Sequence, residues 1–275
     1  MTQCRTSFQP RLQLVTFGDS LTQHGSEPGG WVHLLGHWYT RKADVFNRGY
    51  SGFNTNHLIA LLDQHIAHGI WPTNHAESKS DAPTKPTLLT LCIGANDSCL
   101  PDGPSAQQSV PLENYRSNLV ELLTKLKGSN GKAAPDLHVI LIGPPQCDAH
   151  MWGVVSKQRH NLAEIPITRD NNYTKQFSEA AQSVAKQFAI PFIDMYSLTS
   201  NWSEMLNDGL HFTEKGNYLL FDQVRSTIER SYPHLMTSAL PVDAPPFQQI
   251  TPRTLKETRE FFQTKAEKKE EKAQS

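Results

Sequence analysis

The sequence lacks long hydrophobic runs, and it has no excess of charge of either sign. No stretch approaches the ~18 apolar residues of a membrane-spanning helix, and the first 25 residues contain no apolar signal-peptide core. The 26 basic and 27 acidic side chains argue against a nucleic-acid-binding protein, in which a basic excess is usual. We therefore expect a cytoplasmic protein with no stable membrane insertion and no nucleic-acid partner.

Cysteine is scarce, and histidine forms no metal-binding pattern. The four cysteines are scattered without CxxC spacing, so reduced thiols are the expected state in a chain without a secretory signal. The twelve histidines include no HExxH or similar ligand motif, and no metal is predicted.

Short β-rich runs alternate with segments whose apolar residues recur at helical spacing. This alternation predicts an α/β three-layer sandwich, in which helices cover both faces of a parallel sheet. The predicted strands are Leu12–Phe17, Asp44–Asn47, Thr87–Ile93, Val139–Ile142 and Phe192–Asp194. The predicted helices are marked by apolar stripes over Trp31–Tyr39, Leu58–Ile66, Tyr115–Leu126 and Tyr173–Phe188, with a last helix after His211, roughly to Tyr232.

The chain reads as one domain over residues 10–236, followed by a different kind of segment over 237–275. Residues 238–253 are rich in proline and are predicted to form an extended wrapping segment. The charge run from Lys265 predicts a flexible tail. Residues 72–86, PTNHAESKSDAPTKP, are predicted to form an exposed insert before the third strand.

The first predicted strand ends abruptly at Gly18, Asp19 and Ser20, within the run VTFGDSLTQHG. Gly-Asp-Ser is ordinary turn chemistry, so these residues need no function. The alternative is that Ser20 is a nucleophile, which requires a base and an oxyanion site elsewhere in the chain.

Three other polar turns that contain glycine follow the same pattern. NRGYSGFN at 47–54 follows the second strand, IGANDS at 93–98 follows the third, and DGLHF at 208–212 lies between the fifth strand and the last helix. Ligands of open parallel sheets bind outside the carboxyl ends of the strands. We therefore predict that the four turns share one edge of the sheet.

These turns offer residues suited to acyl transfer, each with a plain structural alternative. Asp208 can orient the imidazole of His211, or it can cap the next helix, as can Thr213. Asn96 offers either an amide donor for an oxyanion or an Asx turn. Gly52 offers either a bare backbone N–H or simply a turn that needs positive φ.

Ser51 is a competing nucleophile, in the run Gly49-Tyr50-Ser51-Gly52-Phe53. The G-x-S-x-G elbow of α/β-hydrolases requires glycine where Phe53 stands, so this alternative fails. No other G-x-S-x-G occurs in the chain.

Taken together, FGDSLT, NRGYSGFNT, GANDS and DGLHF resemble the four sequence blocks of the GDSL, or SGNH, hydrolases in order and in spacing. The segments GGWVHLLGHWYTRKADVFNRGYSGFNT, LCIGANDSCLP, VPLENYRSNL, IGPP and DGLHFTEKG are similar to one branch, the isoamyl acetate-hydrolysing esterases. The insert at 72–86 and the tail after Lys265 depart from that branch.

The resemblance implies a five-stranded flavodoxin-like sheet and a role for each matching residue. Ser20 would be the nucleophile, and its N–H would share the oxyanion hole with the Gly52 N–H and the Asn96 amide. His211 would be the general base and then the general acid, oriented by Asp208. The implied substrate is a small-molecule ester, a short-chain alcohol acetate, and no metal or organic cofactor is implied. Since the branch includes dimers, a homodimer is a further expectation.

The residues leave the acyl group and the acyl acceptor open. A lysophospholipase, a thioesterase or an acyltransferase would use the same triad, and a catalytically silent binding module would keep only the fold. The silent module is disfavoured because all five candidate positions carry competent residues. We therefore predict a serine esterase that hydrolyses short-chain carboxylic esters.

Overall fold

The computed structural model describes residues 11–67, 87–127 and 137–250, together with Lys256. Cys4, the predicted insert at 72–86 and the charged tail from Lys265 lie outside the described residues. The strands are β1 (Leu12–Gly18), β2 (Ala43–Gly49), β3 (Thr87–Cys92), β4 (Leu137–Ile142) and β5 (Phe192–Ile193). The α-helices are α1 (Ser20–Gln23), α2 (Trp31–Trp38), α3 (Thr55–Ala67), α4 (Leu112–Lys127), α5 (Ala149–His160), α6 (Asn171–Gln187), α7 (Met195–Leu198), α8 (Trp202–Met205) and α9 (Glu214–Ser231).

The five strands form one parallel sheet in the order β2-β1-β3-β4-β5. This is the strand order of flavodoxin-like folds, whose ligand crevice opens where β1 and β3 run side by side. Gly18, the last residue of β1, stands beside Gly49 of β2 and Cys92 of β3. The predicted α/β fold with a five-stranded parallel flavodoxin-like sheet is confirmed.

Two hydrophobic cores lie on opposite faces of the sheet, as three layers require. Leu12 and Leu14 of β1 belong to the core that α2 and α9 cover, whereas Val15 and Phe17 belong to the core under α3, α4 and α6. Because both faces are covered, the interior strands β1, β3 and β4 are mostly apolar instead of alternating regularly with polar residues, whereas the edge strand β2 is partly polar. The helical stripes predicted from the sequence are the faces that enter these cores.

The helix α5 was not predicted from the sequence. Its apolar residues do not recur on one helix face, so the pattern carried no periodic signal. The helix is specified by its ends instead. Asp148 accepts a hydrogen bond from the Met151 N–H at 2.9 Å, and Asn161 ends the helix in the left-handed conformation, with φ of 50°.

Smaller differences from the prediction have local causes. The strand β5 ends at Ile193, one residue before the predicted end, because Asp194 caps the short helix α7. The helices α7 and α8 then occupy the connection between β5 and the DGLHF turn. Within the described chain, no helix combines the length and the apolar character needed to cross a bilayer. The described cysteines, Cys92, Cys99 and Cys147, are buried free thiols.

Hydrogen bonds and ion pairs hold the segment after α9 near the edge of the sheet where β1 and β2 begin. Asp243 accepts hydrogen bonds from Arg11 Nε at 2.9 Å and from Arg41 Nε at 3.1 Å, and its N–H donates to the Arg41 carbonyl at 2.9 Å. Lys42 Nζ donates to the Leu240 carbonyl. Burial raises the pKa of Asp243, but the bonds from the two arginines outweigh burial and lower it below its usual range. The proposed domain boundary at residue 236 stays a prediction.

We expect Asp243→Ala to lower the melting temperature by about 2–4 °C, because two guanidinium groups lose their shared acceptor. Thermal unfolding followed by circular dichroism measures this shift. The matched control is Asp222→Ala, which breaks a more exposed ion pair with Arg225 on α9 and should change the melting temperature by less than about 1 °C. Equal effects of the two substitutions would show that the Asp243 contacts do not hold the segment.

Candidate active site

Three strands end level at one edge of the sheet, and the turns that follow them form the base of the candidate site. The Gly18 carbonyl accepts a hydrogen bond from the Tyr50 N–H at 2.9 Å, and the Asp19 N–H donates to the Cys92 carbonyl at 3.4 Å. Glycine is required at position 18 for space, because a Cβ there would overlap the Cys92 carbonyl oxygen and crowd the Thr22 hydroxyl. The turns after β1, β2 and β3 therefore start side by side, as predicted.

Ser20 is the first residue of α1 and is only 4% exposed. Asp19 caps this short helix by accepting a hydrogen bond from the Leu21 N–H at 2.9 Å. Burial raises the pKa of Asp19 to about 7, although the Leu21 bond opposes the shift, and the Asp97 carboxyl adds to it. The N–H groups of a first helical turn have no acceptor within the helix, so the Ser20 N–H is available to another group.

Ser20, His211 and Asp208 form a continuous chain of hydrogen bonds. Ser20 Oγ lies 3.0 Å from His211 Nε2, and His211 Nδ1 lies 2.7 Å from Asp208 Oδ2. When Nδ1–H donates to the carboxylate, Nε2 is left as the acceptor for the serine hydroxyl. This is the arrangement of a nucleophile, a base and the acid that orients the base.

The Asp208 carboxylate is held by its own turn as well as by the imidazole. Its Oδ1 accepts the backbone N–H groups of Leu210 and His211 at 3.0 and 2.8 Å. Burial raises the pKa of Asp208, but the hydrogen bonds from His211 outweigh burial and lower it to about 2. Asp208 does not cap α9. That role falls to Thr213, whose side chain accepts the Gly216 N–H at 3.2 Å.

The imidazole of His211 contacts two other rings. His24 and Trp152 both meet it edge to face, at centroid distances of 5.1 and 5.6 Å. The contacts limit rotation of the imidazole away from Ser20. Neither neighbour was predicted as a site residue, because a single histidine and a single tryptophan form no motif.

The turn after β2 presents Gly52 with a φ of +81°, a conformation that favours glycine. The Gly52 carbonyl accepts a hydrogen bond from Gln108 Nε2 at 3.0 Å, and the Ser51 N–H donates to Gln23 Oε1 at 2.8 Å. Among the described residues, no group accepts from the Gly52 N–H, and none forms a hydrogen bond with the exposed Ser51 hydroxyl. Within the described residues, the turn is thus held in place with one free donor, and no base is hydrogen-bonded to the Ser51 hydroxyl.

The side-chain amide nitrogen of Asn96, in the turn after β3, forms a hydrogen bond with the β2 turn. Its Nδ2 donates to the Phe53 carbonyl at 2.8 Å, and the side chain is buried. Since an amide nitrogen carries two hydrogens, one remains for a further acceptor. A second link joins the same turns, because Asp97 Oδ1 accepts the Thr55 N–H at 2.9 Å. Burial raises the pKa of Asp97 to about 6, although the Thr55 bonds oppose the shift.

Arg169 is a buried residue of this region that the sequence analysis missed. Its Nη1 donates to the Ala95 carbonyl, and its Nη2 lies 3.4 Å from Asn96 Oδ1. The guanidinium also stands over the Trp152 ring, 5.7 Å from its centroid. A lone arginine in the connection between α5 and α6 belongs to no motif, so no sequence signal indicated it.

A cavity of about 590 Å³ adjoins His211, between the residues after α1 and the DGLHF turn. Its lining mixes charged and amide side chains with a few apolar ones. The polar side chains include those of His24, Glu27, Arg159, Asn207, Glu214 and Asn217. The cavity has room for a small alcohol that carries polar groups.

Comparison with known proteins gives consistent results along most of the chain. The profile of the GDSL-like Lipase/Acylhydrolase family matches residues 16–219, which include all four polar turns. A GDSL esterase/lipase of Arabidopsis thaliana is 32% identical over 240 residues, which cover 86% of this chain and 92% of the relative. The isoamyl acetate-hydrolyzing esterase 1 homolog of Homo sapiens is 32% identical over 242 residues, which cover 86% of this chain and 88% of the relative.

Solved structures share the fold at lower sequence identity. A lipase/acylhydrolase from Enterococcus faecalis has a TM-score of 0.55 at 22% identity, over 85% of this chain and 98% of its own. An acetyl xylan esterase has a TM-score of 0.55 at 17% identity, over 78% of this chain and 99% of its own. The family profile and the esterase relatives together show that the chain belongs to the GDSL-like lipase/acylhydrolase family and is a carboxylic ester hydrolase.

Proposed function

We propose that the protein is a serine esterase that hydrolyses short-chain esters, acetates above all, of small alcohols through an acyl-enzyme on Ser20. The observation that carries the proposal is the hydrogen-bonded chain from Ser20 Oγ through the imidazole of His211 to Asp208. The relatives named isoamyl acetate-hydrolyzing esterase homologs support a short acyl group. The buried free thiols support a reducing location such as the cytoplasm.

In the first half of the proposed reaction, Ser20 Oγ attacks the ester carbonyl carbon, and the hydroxyl proton passes to His211 Nε2. The Asp208 carboxylate stabilises the imidazolium that forms. As the tetrahedral intermediate collapses, the bond to the alcohol oxygen breaks and His211 gives its proton to that oxygen. The alcohol leaves, and the acyl group stays on Ser20 as an ester.

In the second half, water takes the place of the alcohol. His211 removes a proton from the water as its oxygen attacks the acyl carbonyl carbon. Collapse of this intermediate breaks the bond to Ser20 Oγ, which recovers the proton from His211. A carboxylic acid leaves, and the side chains return to their starting protonation states. An alcohol that replaced water at this step would make the enzyme an acyltransferase.

Both tetrahedral intermediates carry a negative oxygen, and we assign three donors to it: the N–H groups of Ser20 and Gly52 and the remaining Nδ2–H of Asn96. The free donor of the Gly52 turn and the half-used amide of Asn96 support this assignment. Donors held in place before the reaction are most effective for an oxyanion, because they need no reorganisation as charge develops.

We expect Ser20→Ala to reduce p-nitrophenyl acetate hydrolysis by ~10³-fold or more, because the nucleophile is lost. Across p-nitrophenyl esters of increasing acyl length, the Ser20-dependent rate should be highest for acetyl and fall with length. Ser51→Ala is the matched control and should leave the rate unchanged. Full activity of Ser20→Ala would refute the nucleophile, whereas a maximum at long acyl chains would keep the triad and favour lipid or thioester substrates.

The Asn96 assignment makes a separate prediction. We expect Asn96→Ala to lower kcat by ~10²–10³-fold, the usual effect of removing one oxyanion donor. Steady-state kinetics on p-nitrophenyl acetate, with circular dichroism to verify the fold, measure this effect. A folded Asn96→Ala protein with wild-type turnover is the contrary result, and the oxyanion site would then lie elsewhere.

The low pKa of Asp208, about 2, predicts that its carboxylate is ionised throughout the pH range of activity. We therefore expect Asp208→Asn to lower kcat by ~10²–10⁴-fold at pH 5, 7 and 9 alike, because the orienting charge is lost at each pH. Rate measurements at the three pH values test this, with Asp222→Asn as the surface control. Wild-type rates for Asp208→Asn at pH 5 would mean that Asp208 is already protonated there and that its pKa is not depressed.

A further inference from the structure

The guanidinium of Arg169 is buried directly behind the amide of Asn96. The residue is 2% exposed, and Asn96 is 3% exposed. Nη1 donates to the carbonyl of Ala95, the residue before Asn96, and Nη2 lies 3.4 Å from the amide oxygen of Asn96. The guanidinium carbon lies over the Trp152 ring.

This buried cation has no ion-pair partner in the described part of the chain, although it is near enough to Asp19 to lower the pKa of that carboxyl against the effect of burial. No carboxylate there lies within ion-pair distance of Arg169, and its Nε has no hydrogen-bond partner among the described residues. Burial of an unpaired charge is costly, and a hydrophobic side chain of similar size would serve packing better. The arginine therefore calls for an explanation beyond the stability of the fold.

We propose that Arg169 is a positioning residue that holds the Asn96 amide with its Nδ2–H towards the oxyanion. The inference rests on the proposed function, because it assigns to Arg169 the control of one oxyanion donor. Arg169 does not touch the reacting atoms. It acts through the Asn96 side chain and through the backbone of the same turn.

The two ends of the amide are nearly the same shape, so hydrogen bonds must decide which end faces the substrate. In the observed orientation, Nδ2 donates to the Phe53 carbonyl, and Oδ1 faces the Arg169 guanidinium. After a flip, Oδ1 would face the Phe53 carbonyl oxygen and Nδ2 would face the guanidinium. Both contacts would become repulsive, and a carbonyl-type oxygen would replace the N–H that points to the oxyanion.

The charge of Arg169 also suits the reaction. A cation next to Oδ1 draws electron density from the amide, which makes the remaining N–H a stronger donor. The oxyanion then supplies, only during the reaction, the negative charge that the buried guanidinium lacks. Interactions that appear only in the transition state raise kcat and leave substrate binding nearly unchanged.

The test is a double-mutant cycle on p-nitrophenyl acetate, with Arg169→Met and Arg169→Gln, both of which remove the charge. We expect each variant to lower kcat by roughly tenfold or more while KM changes by less than about threefold. In an Asn96→Ala background, Arg169→Met should lower kcat by less than about a further twofold, because its effect passes through the missing amide. In an Asp208→Asn background, it should keep its full effect.

Results that contradict the role of Arg169 can be told apart from a result that contradicts the proposed function. Wild-type kcat in folded Arg169→Met or Arg169→Gln would overturn the proposal. A full multiplicative loss in the Asn96→Ala background would also overturn it, and would indicate that Arg169 acts through Trp152 and His211 instead. If Arg169→Met does not fold, Arg169→Gln carries the same cycle, and Arg169→Lys should restore part of kcat. Ser20-independent hydrolysis, in contrast, would refute the proposed function itself.

Discussion

The hydrogen bond between Ser20 and His211 joins residues 191 positions apart, and the rest of the structure is needed to make it. Ser20 follows β1, an interior strand of the sheet, whereas His211 precedes α9. Trp31 connects the two sides, because its backbone N–H donates to Asn217 Oδ1 of α9 at 3.1 Å, and its indole N–H donates to the Leu21 carbonyl at 2.9 Å. The distance between Ser20 and His211, the proposed nucleophile and base, therefore depends on one buried tryptophan and on the core that α2 and α9 share.

The parts of the site that could be predicted from sequence are those in which local chemistry and sheet topology act together. Gly18 lies too close to a neighbouring strand for a Cβ, and Gly52 has a positive φ, so both positions exclude most other residues. Their turns can therefore be predicted from the glycines in the sequence. The parallel arrangement then brings turns that are remote in the chain to the same edge of the sheet. Asp208 and His211 fit the same logic, because their three-residue spacing closes a turn in which the carboxylate reaches both backbone and imidazole.

The parts that could not be predicted are those defined by packing between elements. Trp152 stands on α5, a helix without an apolar stripe, and its contacts with His211 and Arg169 exist only after that helix docks. Arg169 contacts Asn96 across 73 positions of sequence, and the local sequence around neither residue indicates this contact. Periodicity reports burial on one face of an element, and it says nothing about which buried polar groups meet.

The carboxyl groups around the site divide into two kinds, and the division fits the charges that the proposed reaction would create. Asp208 has a depressed pKa, so its stabilising contribution is present above its unfolded pKa of ~3.9 and is lost as the pH falls towards about 2. Asp19 and Asp97 are the reverse: burial raises their pKa values to about 7 and about 6, so they cost stability increasingly as the pH rises from ~3.9 through those values. The fold thus favours an anion beside the imidazole, which becomes a cation in the proposed reaction, and disfavours negative charge on Asp19 and Asp97. Negative charge on Asp19 or Asp97 would oppose the proposed oxyanion at the neighbouring turns, whereas the buried cation of Arg169 would favour it.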